Sequence, residues 1–118
     1  MNGESGVVVA LATFPDEKSA MEISRTLIEE HLAACVNILP GARSIYHWKG
    51  EIVEESEVVA IFKTTSIYRG QFQQRLLELH PAEVPECILL DVADGSVDYL
   101  NWVRSEVLPG RWREPLES

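Results

Sequence analysis

The residues best suited to metal chemistry in this sequence are one histidine and one cysteine. His80 directly precedes Pro81 at the predicted end of a helix, where an imidazole can bind a metal ion or bond to a backbone carbonyl. The carbonyl role is the commoner one for a single histidine, and both alternatives stay open here. Cys35 would be a soft ligand for monovalent copper if it is exposed, although its place at the start of an apolar strand favours burial.

Carboxylates cluster after the predicted hairpin tip, and they suit a different kind of ion. The cluster consists of Glu51, Glu54, Glu55 and Glu57. Carboxylate oxygens are ligands for hard cations, and the symmetry of an oligomer would multiply them. A charged strand edge that faces water and prevents unwanted strand pairing is the commoner explanation.

The sequence carries no familiar arrangement for catalysis. It lacks a nucleophile elbow, a P-loop, a dinucleotide fingerprint and metal-hydrolase spacing. A cleft holding Lys63, Glu57, His80 and Tyr46 would contain an acid, a base and a cation, but nothing in the sequence fixes their geometry. We therefore predict a binding protein and not an enzyme.

The composition predicts one acidic domain. At 118 residues and 46% hydrophobic, the chain is long enough for one core and too short for two. The net charge of −9 would repel phosphate groups, so we expect neither nucleic acid nor a membrane as a partner. The chain shows no secretory signal, no bilayer-spanning run and no Cys-x-x-Cys pair, which favours a cytoplasmic protein. The domain is predicted over residues 7–108, with flexible ends at 1–6 and 109–118.

Hydrophobic periodicity places these side chains on an α+β framework. The first helix should begin after Pro15 and reach His31 or Leu32. The other predicted elements are strands at 7–14 and 87–92, a hairpin over 35–65, and helices that begin after the capping hydroxyls of residues 64–66 and of Ser96. The order β-α-β-β-α-β with an extra C-terminal helix is that of a ferredoxin-like split β-α-β sandwich with an antiparallel sheet.

The central hairpin is longer than this topology needs. Its tip is predicted at Lys49 and Gly50, and the Pro40–Gly41 pair predicts a bulge in the first arm. Arms of about fourteen residues would project beyond the covering helices, since typical strands have about five or six residues. The projecting part carries apolar and aromatic side chains, and packing them against a second copy of the chain would remove them from water. We therefore predict a homo-oligomer.

Five segments, in order, resemble the CutA divalent-cation-tolerance family over about residues 7–107. They are Leu32-Ala33-Ala34-Cys35-Val36-Asn37-Ile38, then Ser44-x-Tyr46-x-Trp48-x-Gly50-x-Ile52, then Glu57 with Phe62-Lys63-Thr64, then His80-Pro81-x-Glu83-Val84-Pro85-Glu86, and finally Asp98-Tyr99-Leu100-x-Trp102. Five ordered motifs are much harder to reach by chance than one. The resemblance implies a ferredoxin-like fold, an architecture like that of the nitrogen-regulatory signalling trimers, and a homotrimer held by the hairpin.

The resemblance also implies a link to copper and other divalent cations. Some bacterial members bind copper through a cysteine at the end of the first strand and a His-His pair before the proline. In this sequence Ala12 and Leu79 occupy two of those positions, and His80 matches the third. Ala82 replaces the aromatic residue that usually follows the His-Pro pair.

A ligand cleft between subunits is the last prediction. Lys63 ends an apolar run, so its ammonium must reach water or meet an acid such as Glu57, Glu83 or Glu86. Together with the motif residues Trp48, Tyr46 and Trp102, it suggests a cleft for an anion or small molecule. Three functions stay open: a metal-binding protein of the divalent-cation response, a small-molecule sensor and a trimeric scaffold for a partner protein.

Overall fold

The computed structural model describes residues 5–107 and has the α+β architecture that the sequence predicts. Its elements are β1 (Val7–Phe14), α1 (Glu17–Glu29), β2 (Cys35–Trp48), β3 (Glu51–Thr65), α2 (Arg69–Leu79), β4 (Cys87–Asp91) and α3 (Val97–Glu106). The strands form one sheet in the order β2-β3-β1-β4, and every neighbouring pair is antiparallel. This is the ferredoxin-like arrangement. The predicted flexible ends fall mostly on residues 1–4 and 108–118, which lie outside the described residues.

The core lies between one face of the sheet and the helices α1 and α2. Along β1 the side chains alternate, and Ala10, Ala12 and Phe14 on the inner face are completely buried. Across this layer Phe62 of β3 packs edge to face on Phe72 of α2, with ring centroids 5.1 Å apart. Each such aromatic ring removes a large apolar area from water, which fixes the sheet against the helices.

The opposite face of the sheet is apolar but much less covered. Strand register places Leu11 beside Ile61 and Ile88 on this outer face. The neighbouring side chains of Leu39 and Leu90 are about half exposed, as is Ile88. A sheet face of this composition favours contact with another apolar surface.

The helix boundaries depart from the sequence prediction in two places. The first helix is shorter than predicted, because it ends at Glu29 and His31 has a positive φ of 61°. The second helix begins later than predicted, at Arg69, and its cap residue Tyr68 makes no side-chain capping bond. Of the capping hydroxyls predicted at residues 64–66, that of Thr65 accepts from the backbone N–H of Tyr68 at 3.4 Å. Thr64 instead donates its hydroxyl to the carbonyl of Leu32 at 2.7 Å. Within residues 5–107, no helix combines the length and apolar character needed to cross a membrane.

The long hairpin has the predicted geometry. Its arms contain 14 and 15 residues, and the molecule extends 54 Å along its longest axis. The ladder shifts register between Leu39 and Ala42, which confirms the predicted bulge, and Gly41 there has a φ of +87°. At the tip Lys49 and Gly50 both have positive φ, as a tight hairpin turn requires.

Candidate functional site

A cleft of about 530 Å³ lies between the outer half of the hairpin and the loop over residues 80–86. Six of the predicted site residues line it, namely Tyr46, Trp48, Glu57, His80, Glu83 and Glu86. Glu55, predicted only as a member of the hairpin carboxylate cluster, also lines it. This volume is typical of a cleft that holds a small molecule.

Strand alternation explains how the hairpin contributes four of these side chains. Glu55 and Glu57 are two residues apart on β3, so they lie on one face of the hairpin. The register pairs Tyr46 of β2 with Val53, which places the phenol on that same face. Tyr46 donates its hydroxyl to the carboxylate of Glu55. This hydrogen bond, with smaller contributions from desolvation and from the charges of Glu55 and Glu57, raises the pKa of Tyr46 to about 12.

His80 fixes the other wall of the cleft. Its Nε2 donates to the carbonyl of Thr13 at 2.7 Å, and its Nδ1 accepts from the backbone N–H of Ala82 at 3.0 Å. The ring is only 9% exposed and stacks on Phe14, with centroids 4.8 Å apart. Because Nε2 donates and Nδ1 accepts, the backbone engages both ring nitrogens, and this geometry matches the carbonyl-bonding alternative predicted for His80.

Residues 5–107 of a single chain offer no set of ligands that fits a resident metal ion. Metal ligation at His80 would require Nδ1 to release Ala82, or Nε2 to lose its proton and release Thr13. In the part of the chain that the structure describes, no three or more histidine, cysteine, aspartate or glutamate side chains converge in a way that could hold a metal. Stable metal sites use three or four protein ligands, so His80 would need ligands from elsewhere.

A second polar cluster lies on the outer face of the sheet, and it contains the remaining predicted residues. Lys63 donates to the side-chain carbonyl of Asn37, and its ammonium lies 3.9 Å from the sulfur of Cys35. Within the described residues of one chain, Lys63 therefore bonds to an amide and a thiol and to none of the predicted acids Glu57, Glu83 and Glu86, and the alternative that its ammonium reaches water stays a prediction. Tyr99 and Trp102 of α3 have ring centroids 5.6 Å apart. Burial, followed by a hydrogen bond to Cys35, raises the pKa of Tyr99.

The structure thus divides the predicted cleft residues into two groups. Lys63 and Trp102 do not line the carboxylate cleft of their own chain. Glu55 could have been assigned to the cleft from sequence, because it shares a strand face with Glu57.

The sheet order, the long hairpin and the adjoining cleft define an α+β ferredoxin-like protein with an extended β2–β3 arm. The model of the CutA1 divalent ion tolerance protein family matches residues 8–106. This match covers most of the chain, and the chain belongs to that family.

Similar proteins agree with this assignment. The chain is 47% identical over 96 residues to a divalent-cation tolerance protein CutA from Thermus thermophilus, which covers 81% of this chain and 93% of that protein. The crystal structure of CutA from Xylella fastidiosa has a TM-score of 0.84 at 41% identity, covering 86% of this chain and 98% of that one. The CutA1 structure from Oryza sativa has a TM-score of 0.84 at 31% identity and covers 86% of this chain and 94% of that one.

Proposed function

We propose that this protein is a cytoplasmic homotrimer, joined through the β2–β3 hairpin, that takes part in the response to divalent cations by binding a metal ion or small ligand. The observation that supports the proposed assembly is the exposed apolar surface of the hairpin. Ile45 is 67% exposed and Ile52 is 68% exposed, on adjoining positions of the two arms. Tyr46 and Trp48 are also partly exposed near the tip.

Burial of this surface would stabilise an assembly. Removing a large apolar side chain from water contributes about 1.5–3 kcal/mol. The outer face of the sheet, with Leu39, Ile88 and Leu90 half exposed, is a second apolar area, on the face opposite to Ile45 and Ile52. A hairpin that contacts the next subunit in a head-to-tail manner forms a closed ring when its rotation closes.

The assembly is tested by placing a charge on the hairpin. Ile45→Glu and Ile52→Glu should each shift the protein toward single chains in sedimentation velocity. The matched control is Ile67→Glu, because Ile67 is 81% exposed but lies between β3 and α2, away from the hairpin. Circular dichroism checks that each variant is folded. Equal association by all three variants and the unmodified protein would contradict assembly through the hairpin.

Cytoplasmic location and binding without catalysis are supported by separate observations. Cys35 and Cys87 are both free thiols, as is usual in a reducing compartment. In the cleft, both nitrogens of His80 are engaged by the backbone, so this imidazole is not poised to transfer a proton to a substrate.

Direct metal binding is tested by titrating the purified apo-protein with copper and zinc in a calorimeter. Binding heat that saturates at a defined stoichiometry, with a lower affinity in His80→Ala, would support His80 as a ligand. The same comparison with Cys35→Ser tests the candidate soft ligand. Heat that is unchanged in both variants would contradict both ligand assignments.

A small-molecule sensor is the second candidate, and the cleft favours it. The walls combine aromatic and apolar side chains with carboxylates, a combination that binds and orients organic ligands. Native mass spectrometry of the freshly purified protein would show a retained ligand as an added mass. A spectrum with only the mass of the chains would contradict tight retention of such a ligand.

A further inference from the structure

The loop between β4 and α3 contains an aspartate that is followed by a glycine. The sequence has four aspartates, and Asp94 is the one that precedes a glycine. Residues 92–96 belong to no helix or strand, and Asp94, Gly95 and Ser96 are exposed to water. This loop lies outside the hairpin on which the proposed assembly depends. Its chemistry is therefore separate from the contact between subunits.

The structure holds two groups of this loop in a position to react with each other. The backbone N–H of Gly95 donates to Oδ1 of Asp94 at 2.8 Å. Because Oδ1 is bonded to the side-chain carboxyl carbon, that carbon lies beside the backbone nitrogen. Groups that are held together react faster than groups that must first meet. Bond formation between this nitrogen and this carbon would close a succinimide ring.

Gly95 favours the reaction for a steric reason. A glycine has no Cβ, so the approach to its nitrogen is less hindered than in any other residue. The backbone of Gly95 does not have the left-handed conformation that requires glycine, and a Cβ at this position would meet Leu100 at 3.5 Å, an ordinary van der Waals contact. Alanine therefore fits the fold at position 95 and still crowds the nitrogen.

The other three aspartates are held differently. Asp16 caps α1, and its carboxylate accepts from a backbone N–H three residues further on at 2.7 Å. Asp91 lies in β4 and is followed by Val92, whose backbone N–H is bonded to a carbonyl of β1. Asp98 lies in the first turn of α3. A residue with a Cβ follows each of them, so they are internal controls within the same molecule.

The loop also positions α3 on the sheet. Ser96 caps this helix, because its hydroxyl accepts from a backbone N–H of the first turn at 3.5 Å. Leu100 is buried in the same hydrophobic cluster as Val7 of β1, and it also lies against Gly95. An extra backbone atom in the loop would move both the cap and Leu100 relative to β1.

We propose that Asp94 is a site of spontaneous isomerisation to isoaspartate. The nitrogen of Gly95 forms a bond to the side-chain carboxyl carbon of Asp94, and the N–H proton and the carboxyl hydroxyl leave as one water. Water then adds to the succinimide. Addition at the side-chain carbonyl restores aspartate, whereas addition at the main-chain carbonyl breaks its bond to nitrogen and leaves isoaspartate. The net composition is unchanged, no electrons are transferred, and the backbone gains one methylene.

The test is a prolonged incubation of the intact, folded protein in neutral buffer, followed by peptide mapping. Isoaspartate appears as a peptide of unchanged mass and altered retention that accepts one methyl group from an isoaspartyl methyltransferase. The succinimide appears as the same peptide lighter by one water. We expect both products at Asp94 and neither at Asp16, Asp91 or Asp98. Absence of isoaspartate at Asp94, or equal amounts at all four positions, would overturn the proposal.

Two variants test the reacting atoms, with circular dichroism as the check that each is folded. Gly95→Ala should slow the accumulation of isoaspartate about tenfold, because a small displacement of the reacting atoms greatly slows an intramolecular reaction. Asp94→Glu keeps a carboxylate in the loop but would have to close a larger ring, so it should give no cyclised peptide. An unchanged rate in Gly95→Ala would contradict attack by this nitrogen.

Amide hydrogen exchange tests the consequence for α3. The protein that contains isoaspartate is separated by chromatography and compared with the unmodified protein. The amides of α3 should exchange faster after the modification, while those of α1, on the other face of the sheet, should be unchanged. Equal exchange of α3 in the two proteins would contradict the role of the loop in positioning this helix.

Discussion

Replacing His80 separates a structural role from a metal-binding role. His80→Ala removes the donor to the Thr13 carbonyl, the acceptor for the Ala82 N–H and the ring that stacks on Phe14. Each net hydrogen bond contributes about 1 kcal/mol, and a stacked ring pair contributes about 0.5–1.5 kcal/mol beyond its buried area. We therefore expect His80→Ala to lower the free energy of unfolding by about 2–4 kcal/mol, once the loss of ring packing is included.

The assay is guanidinium unfolding in EDTA, at one protein concentration because the stability of an oligomer depends on concentration. The chelator removes any stabilisation by a bound metal. His80→Gln can retain a donor near the position of Nε2 but loses the Nδ1 acceptor, so its stability should fall between those of the other two proteins. A loss below about 1 kcal/mol for His80→Ala in EDTA, together with weakened copper binding, would refute the structural role.

Two further predictions concern the hairpin. The pKa of Tyr46 lies at about 12 instead of 10.0, so folding favours the protonated phenol. Its contribution to stability is complete below pH 10 and is lost as the pH rises through 12. Glu55→Ala should move the Tyr46 titration midpoint back toward 10, measured by NMR of labelled tyrosine rings, and an unchanged midpoint would contradict this cause. Gly41→Ala should destabilise the protein by about 1 kcal/mol, because its φ of +87° is strained for a residue with a Cβ. The added Cβ would meet no heavy atom within 4 Å beyond its chain neighbours, so backbone strain is the whole cost. Gly70→Ala in α2 should stabilise it by about 0.5 kcal/mol, and equal effects of the two alanines in urea unfolding would argue against strain at Gly41.

The sequence predicted the sheet because its strands carry strong local signals. The apolar run at 7–14 and the change to a period of two at Cys35 correspond to β1 and β2. The Pro40–Gly41 pair marked the bulge because proline lacks a ladder donor and glycine accepts a positive φ. Helix ends were harder to predict, since His31 leaves the helix with a positive φ and binds the carbonyl of Glu106, 75 positions away.

The cleft was only partly predictable, because part of its geometry depends on contacts between segments that are far apart in the sequence. Alternation along a strand assigns Glu57 and Glu55 to one face without any tertiary information. The sequence left open whether Lys63 reaches water or meets an acid. Its partners depend on the register between β2 and β3, which places it opposite Cys35. The two hydrogen bonds of His80 depend on how the loop folds back on β1, which no local pattern encodes.

The central claim is that the exposed hairpin joins three copies of this chain. Light scattering coupled to size exclusion measures the mass of the intact protein directly and independently of its shape. The account predicts a mass about three times that of the 13.3 kDa chain, stable on dilution. A mass of a single chain would contradict it, because the apolar surface around Ile45 and Ile52 would then remain in water.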